Sequence, residues 1–245
     1  MQNRQDTEQR LLWLVISILL NATFNALTIT TNMGSAVWTA SAVNLAHWVT
    51  HSTSPAIASQ ALGLVLTIYG ILVAFLDLLL IGRFDWQRLL RNILFVVPFS
   101  YLIQFIVPFW SNIVGIKYLH GDLSHPVQLT VLIIVNMIGL FGVGAAVSLY
   151  QRANLIMHPN DDLSYIIRFR YLHGLATASQ MLSYLPPVII MICCFFANHH
   201  TLWAVNFGTV WAFLTQGWVQ GWSDRHFVKQ LKHHFTHTPA NTTTK

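Results

Sequence analysis

The chain has 245 residues, of which 54 % are hydrophobic and only 9 % charged, with a mean hydropathy of +0.53. A water-facing domain carries about 25 % charged residues, so this composition excludes an ordinary soluble domain and predicts one membrane domain whose first partner is the lipid bilayer. The formal charge of +5 is spread over short loops, which excludes a nucleic-acid footprint.

Arg4 and Arg10 precede the first apolar run, as in a signal peptide, but Asp6 and Glu8 lie among them and the run continues past Asn21 to Ile29. This predicts an uncleaved first helix over Leu11–Thr31, long enough for a span of roughly 20 residues. Asn21, Asn25, Thr28 and Asn32 fall at i, i+4, i+7 and i+11, on one helix face. An amide facing acyl chains has no partner, so this face looks either at neighbouring helices, as interhelical glue contributing ~0.6 kcal/mol per contact, or at a solute path. A long polar segment, Asn32 to Pro55, follows. The second span is expected over Ala56–Ile81 and the third over Ile93–Ile113, interrupted by Pro98 and Pro108 and carrying Ser100, Gln104 and Ser111. Val127–Tyr150 forms the fourth, with Asn136, Gly139, Gly142 and Gly144.

A second long polar segment, Gln151 to Gly174, holds the acidic stretch His158-Pro159-Asn160-Asp161-Asp162. It is expected in the cytoplasm, where Asn160 and Asp161 cap a helix start. The fifth span, Leu175–Ala197, is interrupted by Pro186-Pro187, and the sixth, Leu202–Trp222, carries a polar stripe of Asn206, Thr209, Gln216 and Gln220. Its Gly217 and Gly221 form a GxxxG surface for close packing. In the tail, Phe227, Leu231 and Phe235 at i, i+4 and i+8 predict a short amphipathic helix on the inner leaflet, and Ala240–Lys245 reads as disordered.

With six spans, Arg4, Arg10, Arg83, Arg88, Arg91, Arg152, Arg168, Arg170, Arg225, Lys229, Lys232 and Lys245 share one side, and only Lys117 is on the other. This asymmetry predicts cytoplasmic termini. The tryptophans agree, with Trp38, Trp48, Trp110 and Trp203 near outer ends and Trp13, Trp86 and Trp222 near inner ones. Spans one and four are both followed by a long polar segment, and Asn32-Met33-Gly34 stands opposite Asn154-Leu155-Ile156. The layout reads as pseudo-repeats 11–113 and 127–222 with a cytoplasmic tail 223–245. Three spans per half place the repeats in opposite orientations, the plan of many secondary transporters. The expected fold class is thus all-α, a polytopic membrane protein of six transmembrane helices.

On these residues the chain resembles the YczE/YyaS/YitT group of bacterial integral membrane proteins, nearest its YczE branch, over most of Leu11–Trp222. In that group the first helix leads into a small-residue segment ending in leucine-glycine and a proline-tryptophan or proline-aspartate pair. Here Gly34 and Trp38 match, while Val37 replaces the proline. In the second half Pro159 and Asp161-Asp162 are kept and Ile156 takes the glycine position, and Gly208-Thr209 supplies the pair that introduces the group's last helix. The resemblance implies a permease-like architecture in the bacterial cytoplasmic membrane more than it implies an activity.

Asp77 is the one carboxylate inside an expected span. It reads as a snorkelled surface ion pair with Arg83 or Arg88, or as a proton-relay residue. The polar candidates Asn21, Asn25, Thr28, Asn32, Gln104, Asn136, Asn206 and Gln216 together predict an uncharged path suited to a neutral or zwitterionic small solute. Adjacent Cys193 and Cys194 inside an apolar run imply neither a disulfide framework nor a metal motif. His47, His51, His120, His125, His199 and His200 lie on the outer side with Asp122 as their one acid, a poor zinc set. No GxxxxGK[ST], HExxH or GxSxG occurs, so no enzyme and no bound cofactor is expected. The first reading is a small-solute permease; the rival is a membrane scaffold or accessory protein that transports nothing. A homo-oligomer stays open under both.

Overall fold

The computed structural model describes residues 2–116 and 125–234. Lys117, His120, Asp122, Phe235 and the tail beyond it lie outside the described residues. Within them the chain is all-helical and has no strand. The helices are α1 (Gln2–Thr31), α2 (Val37–Thr50), α3 (Pro55–Ile81), α4 (Trp86–Pro108), α5 (Pro126–Ala153), α6 (Pro159–Ile166), α7 (Ala176–Ser183), α8 (Leu185–Ala197) and α9 (Phe207–His226). Pi-helical turns extend α4 over Phe109–Ile113 and α6 over Ile167–Tyr171.

Five stretches are long and apolar enough to cross a membrane: Asp6–Thr31, Pro55–Ile81, Trp86–Ile113, Pro126–Ala153 and Ala176–Ala197. They coincide with the first five expected spans. The expected sixth is α9, a 20-residue helix that begins at Phe207 instead of Leu202. It is not among the five, because its glutamines and glycines dilute the apolar run. Large apolar side chains, among them Leu72, Leu79, Phe105, Ile113, Val127 and Phe196, stand exposed around the bundle. Such an apolar outer surface is compatible with a multi-pass membrane protein.

Proline sets the starts and breaks. Pro55, Pro126 and Pro159 open their helices, where the missing N–H costs nothing. Pro186-Pro187 divide the fifth stretch at Tyr184 into α7 and α8, and Pro98 lies inside α4.

The two long polar segments are not loops. After α1 the chain turns at Asn32 (φ 54) and α2 follows, buried on most of its faces. After α5 it turns at Asn154 (φ 53) and α6 follows, also largely buried. Asparagine is one of the few side chains that tolerate this left-handed conformation. Each short helix is therefore packed inside the bundle, α2 against α3 and α8, α6 against α3 and α7.

Small residues on α5 let its neighbours approach. A Cβ on Gly142 would fall 2.3 Å from the Phe24 ring of α1, and one on Gly144 would fall 2.7 Å from Val219 of α9. The GxxxG of α9 packs on α7, where a Cβ on Gly217 would stand 2.6 Å from the Thr177 backbone.

The tail departs from the amphipathic-helix expectation. Among the described residues the chain is not helical from Phe227 to His234, and Leu231 is buried under the bundle. The buried Arg152 guanidinium donates to the carbonyls of Phe227 (2.7 Å), Val228 (3.0 Å) and Leu231 (3.3 Å). Arg10 donates to the Arg152 carbonyl at 2.8 Å. The backbone of the tail thus finds its donors on the protein instead of in the lipid headgroups.

Candidate functional site

The short helices α2 and α6 direct their first turns into the middle of the bundle, and there they meet one buried cavity. Its lining includes Ala36–Thr39 at the start of α2 and His158, Asn160 and Asp161 at the start of α6. The centres of water-sized spheres have about 50 Å³ in which to move. One water needs roughly 10–15 Å³ on that measure, so the room suits a few waters or one very small solute. Asn21, Asn25, Gln180, Tyr184, Gln216 and Gln220 complete the polar lining, and Leu66, Phe99, Ile103, Val143 and Val147 supply the apolar part.

A chain of hydrogen bonds ties the two helix starts together. The Thr39 hydroxyl donates to Asn25 Oδ1 (2.9 Å) and Asn25 Nδ2 donates to Asn21 Oδ1 (2.5 Å). Asn21 Nδ2 donates to the Tyr150 hydroxyl (3.3 Å), which donates to Asp161 Oδ2. Four helices are cross-linked by this series, α2 through α1 and α5 to α6. On the far side Gln220 Nε2 donates to Gln180 Oε1 at 2.9 Å.

The ends of the two helices differ. α6 carries Asp161 and Asp162 in its first turn, and His158 Nδ1 accepts from the Asn160 N–H. Acids there complement the positive helix end. α2 has Ala36 at its N-cap, with no side chain accepting from its first turn.

Of the eight candidates read from the sequence, the cavity gathers Asn21, Asn25 and Gln216. The other five lie elsewhere. Thr28 donates to the Asn25 carbonyl on its own helix (2.8 Å). Asn32 is past the helix end and exposed, so it does not share the face of Asn21 and Asn25. Gln104 bridges α4 to α3 through the Gly63 N–H (3.1 Å). Asn206 caps α9 in a capping box. Asn136 is fully buried and donates to Thr31 Oγ1 (2.8 Å) and the Gly34 carbonyl (2.6 Å). It is what fastens the Met33–Ala36 segment to α5. That segment also receives the Gly208 N–H on the Met33 carbonyl (2.7 Å).

Two charge expectations are corrected. Asp77 is fully buried and makes no surface ion pair with Arg83 or Arg88; Asn92 Nδ2 donates to it at 3.3 Å. Arg88 instead grips Asp162 with Nε (2.7 Å) and Nη2 (2.5 Å), and Asn92 bridges the two acids by a 3.0 Å bond to Asp162. The acidic stretch around Asn160 starts a helix as expected, but inside the bundle and not as an exposed cytoplasmic loop. Beside it a polar cleft of about 170 Å³ is lined by Arg88, Arg91, Asn92, Asn154 and Asp162.

Trp38, Thr39, His158, Gln180 and Tyr184 are lining residues outside the polar candidates of the sequence reading, which named Trp38 only as an outer-end tryptophan and a family match and His158 only as part of the acidic stretch. A signal existed for Trp38 and Thr39. No Asp, Glu, Lys or Arg occurs between Asn32 and Pro55, which is unlike a solvated loop of that length. No group of three or more His, Cys, Asp or Glu placed to hold a metal occurs among the described residues.

Fold and cavity together define an all-helical protein with five helices fit to cross a bilayer, closed around a small polar centre. The chain belongs to DUF6198, a family of unknown function whose model matches residues 9–225. No curated protein and no solved structure matches it.

Proposed function

We propose that this protein is a small-solute permease of the bacterial cytoplasmic membrane, with α9 as a sixth span and both termini cytoplasmic. The observation that carries the reading is the meeting of the α2 and α6 first turns at one buried polar cavity. Half-helices whose ends face a midplane site are a recurring device of secondary transporters. The parallel layouts α1–α2–α3 and α5–α6–α7/α8, each entered through a left-handed asparagine, support two inverted repeats. The likeness to the YczE branch supports the same architecture. In this reading the Asn face of α1 is both glue and path wall: Asn21 and Asn25 bond each other, Thr39 and Tyr150 while bordering the cavity. The polar cleft beside Arg88 and Asp162 is the cytoplasmic vestibule. The solute works against no resident cofactor and undergoes no reaction.

The test is flux through proteoliposomes of the purified protein, measured by stopped-flow swelling with urea, glycerol and glycine. The expected result is permeation of at least one of them several-fold above protein-free liposomes, abolished in Asn25→Leu. Equal swelling with and without protein for all three solutes returns the protein to the scaffold reading.

A further inference from the structure

The central cavity is polarised. On the α2 side stand donors without acceptors. The first N–H groups of a helix have no partner in the helix itself, and no side chain caps α2, so the first-turn amides of Val37, Trp38 and Thr39, three residues that line the cavity, are left without a capping acceptor. Two side-chain donors in the same lining also lack an acceptor: Trp38 Nε1 (residue 7 % exposed) and Gln216 Nε2 (3 % exposed). Gly144 permits the second, because Gln216 Nε2 lies only 3.0 Å from where a Cβ would stand. Leaving a buried donor unmade costs about 1–3 kcal/mol. Several sharing one space point to an acceptor that belongs there, and the helix end adds partial positive charge.

On the α6 side the sign is reversed. Asn160 lines the cavity, 3 % exposed, and its Oδ1 lacks a donor. The Asp161 carboxylate is beside it, with the Tyr150 hydroxyl on Oδ2. The positive end of α6 is already answered by Asp161, Asp162 and the His158 cap, so this wall offers acceptors.

We propose that the cavity binds a small zwitterion, its carboxylate against the first turn of α2, Trp38 Nε1 and Gln216 Nε2, and its ammonium between Asn160 Oδ1 and Asp161. An anion alone leaves the Asp161 side unanswered, and a cation alone leaves the α2 donors unanswered. The size fits a solute of about five heavy atoms. The proposal rests on the permease reading only in taking the cavity as a solute site; binding and flux are measured separately.

The experiment is titration calorimetry and thermal melting of the detergent-purified full chain with three probes of matched size: glycine, sodium acetate and methylammonium chloride. Glycine is expected to bind and raise the melting temperature, and acetate and methylammonium to bind at least about tenfold more weakly, the loss of one charge-assisted bond. Trp38→Phe keeps the ring and removes the N–H, and Gln216→Met keeps the volume. Each is expected to weaken glycine about tenfold while the unliganded melting temperature stays within a few degrees. Acetate binding as tightly as glycine overturns the proposal in favour of a plain anion site, and methylammonium doing so overturns it in favour of a cation site. Glycine binding that ignores both substitutions, or no binding of any probe, also overturns it. If a variant does not fold, the three-probe comparison on the wild-type chain decides alone. Urea flux without glycine binding sinks this proposal and spares the permease; glycine binding without any flux does the reverse.

Discussion

Asn25 both donates to Asn21 and accepts from Thr39, so replacing it removes two bonds in the series that joins α2 to α6. Asn25→Leu is expected to insert normally, since leucine favours a membrane helix, and to lower stability by about 1–2 kcal/mol along with the flux. Adding Gln216→Leu tests whether the two walls communicate. The residues border one cavity and share no side-chain hydrogen bond, so near-additivity in melting and a coupled loss in solute binding are expected. Strong coupling in the empty protein would show that the walls touch directly. Asp162 and Asp77 make a second contrast. Asp162→Asn strips the paired charge from Arg88 and is expected to cost about 3–5 kcal/mol, whereas Asp77→Asn removes a charge that faces another acid through Asn92 and is expected to be neutral or stabilising in thermal melting. The sequence spacing was enough to find Asn21 and Asn25, because helix periodicity alone places them together. It missed that Asn32 leaves the face, since that depends on where the helix ends, and a left-handed turn at asparagine has no periodic signature.

At the scale of elements, the segment between α1 and α2 is held by contacts that only small residues permit. Gly34 adopts φ +102 and lies against the start of α9, where a Cβ on Gly208 would come 2.2 Å from Asn136 Oδ1 and 2.7 Å from the Gly34 carbonyl. Gly208→Ala therefore has to displace backbone as well as a buried amide, and overpacking of this kind costs about 1–3 kcal/mol. The expected readout is a lower melting temperature together with weaker solute binding, because the shift is passed to Val37 and Trp38. A melting curve identical to wild type would show that α9 does not brace this turn. The end of the bundle where the tail packs offers a pH test. Asp224 faces Arg168 (2.9 Å), His233 (3.0 Å) and Arg152 (3.4 Å) and accepts from the Ser148 hydroxyl (2.7 Å). Burial alone would raise its carboxyl; the His233 bond and charge, the Arg168 charge and Ser148 outweigh it and bring it to about 2. A depressed carboxylate contributes its stability above its unfolded value near 4, and that contribution disappears as pH falls toward 2. Asp224→Asn is expected to lower the melting temperature at neutral pH and to flatten its fall between about pH 4 and 2. An unchanged acid slope would remove Asp224 from the clamp. The five apolar helices were legible because length and hydropathy are local properties. The helix α2 was not, because Ser- and Asn-containing sequence reads as loop until the bundle supplies partners for it, and of α6 the start was legible from its acidic first turn but its burial was not.

For the molecule as a whole, the orientation proposed from its charges is open to direct test, and the fold dictates which positions can report it. Asn160 looks attractive as an inner marker in the sequence but is buried against the central cavity, so a cysteine there would stay unlabelled on either side of the membrane. Exposed positions are needed. Thr53, between α2 and α3, and Thr201, between α8 and α9, are exposed at one end of the bundle, where the Asn44 side chain joins α2 to the Trp203 backbone through bonds of 2.6 and 2.8 Å. Gln87 at the start of α4 and Gln230 in the tail are exposed at the other. The native cysteines must first be removed; Cys193 is exposed and Cys194 buried, so Cys193→Ser Cys194→Ser is the background, with its melting temperature checked. In intact cells an impermeant maleimide is expected to label cysteines at Thr53 and Thr201 and to spare those at Gln87 and Gln230 until the membrane is opened. The reverse pattern would invert the protein without changing its fold, and the Lys and Arg bias would then have to be read against the usual rule. Labelling of Thr53, Thr201 and Gln230 but not Gln87 would be a different result altogether: α9 would then begin and end on one side, and it could not be a sixth span.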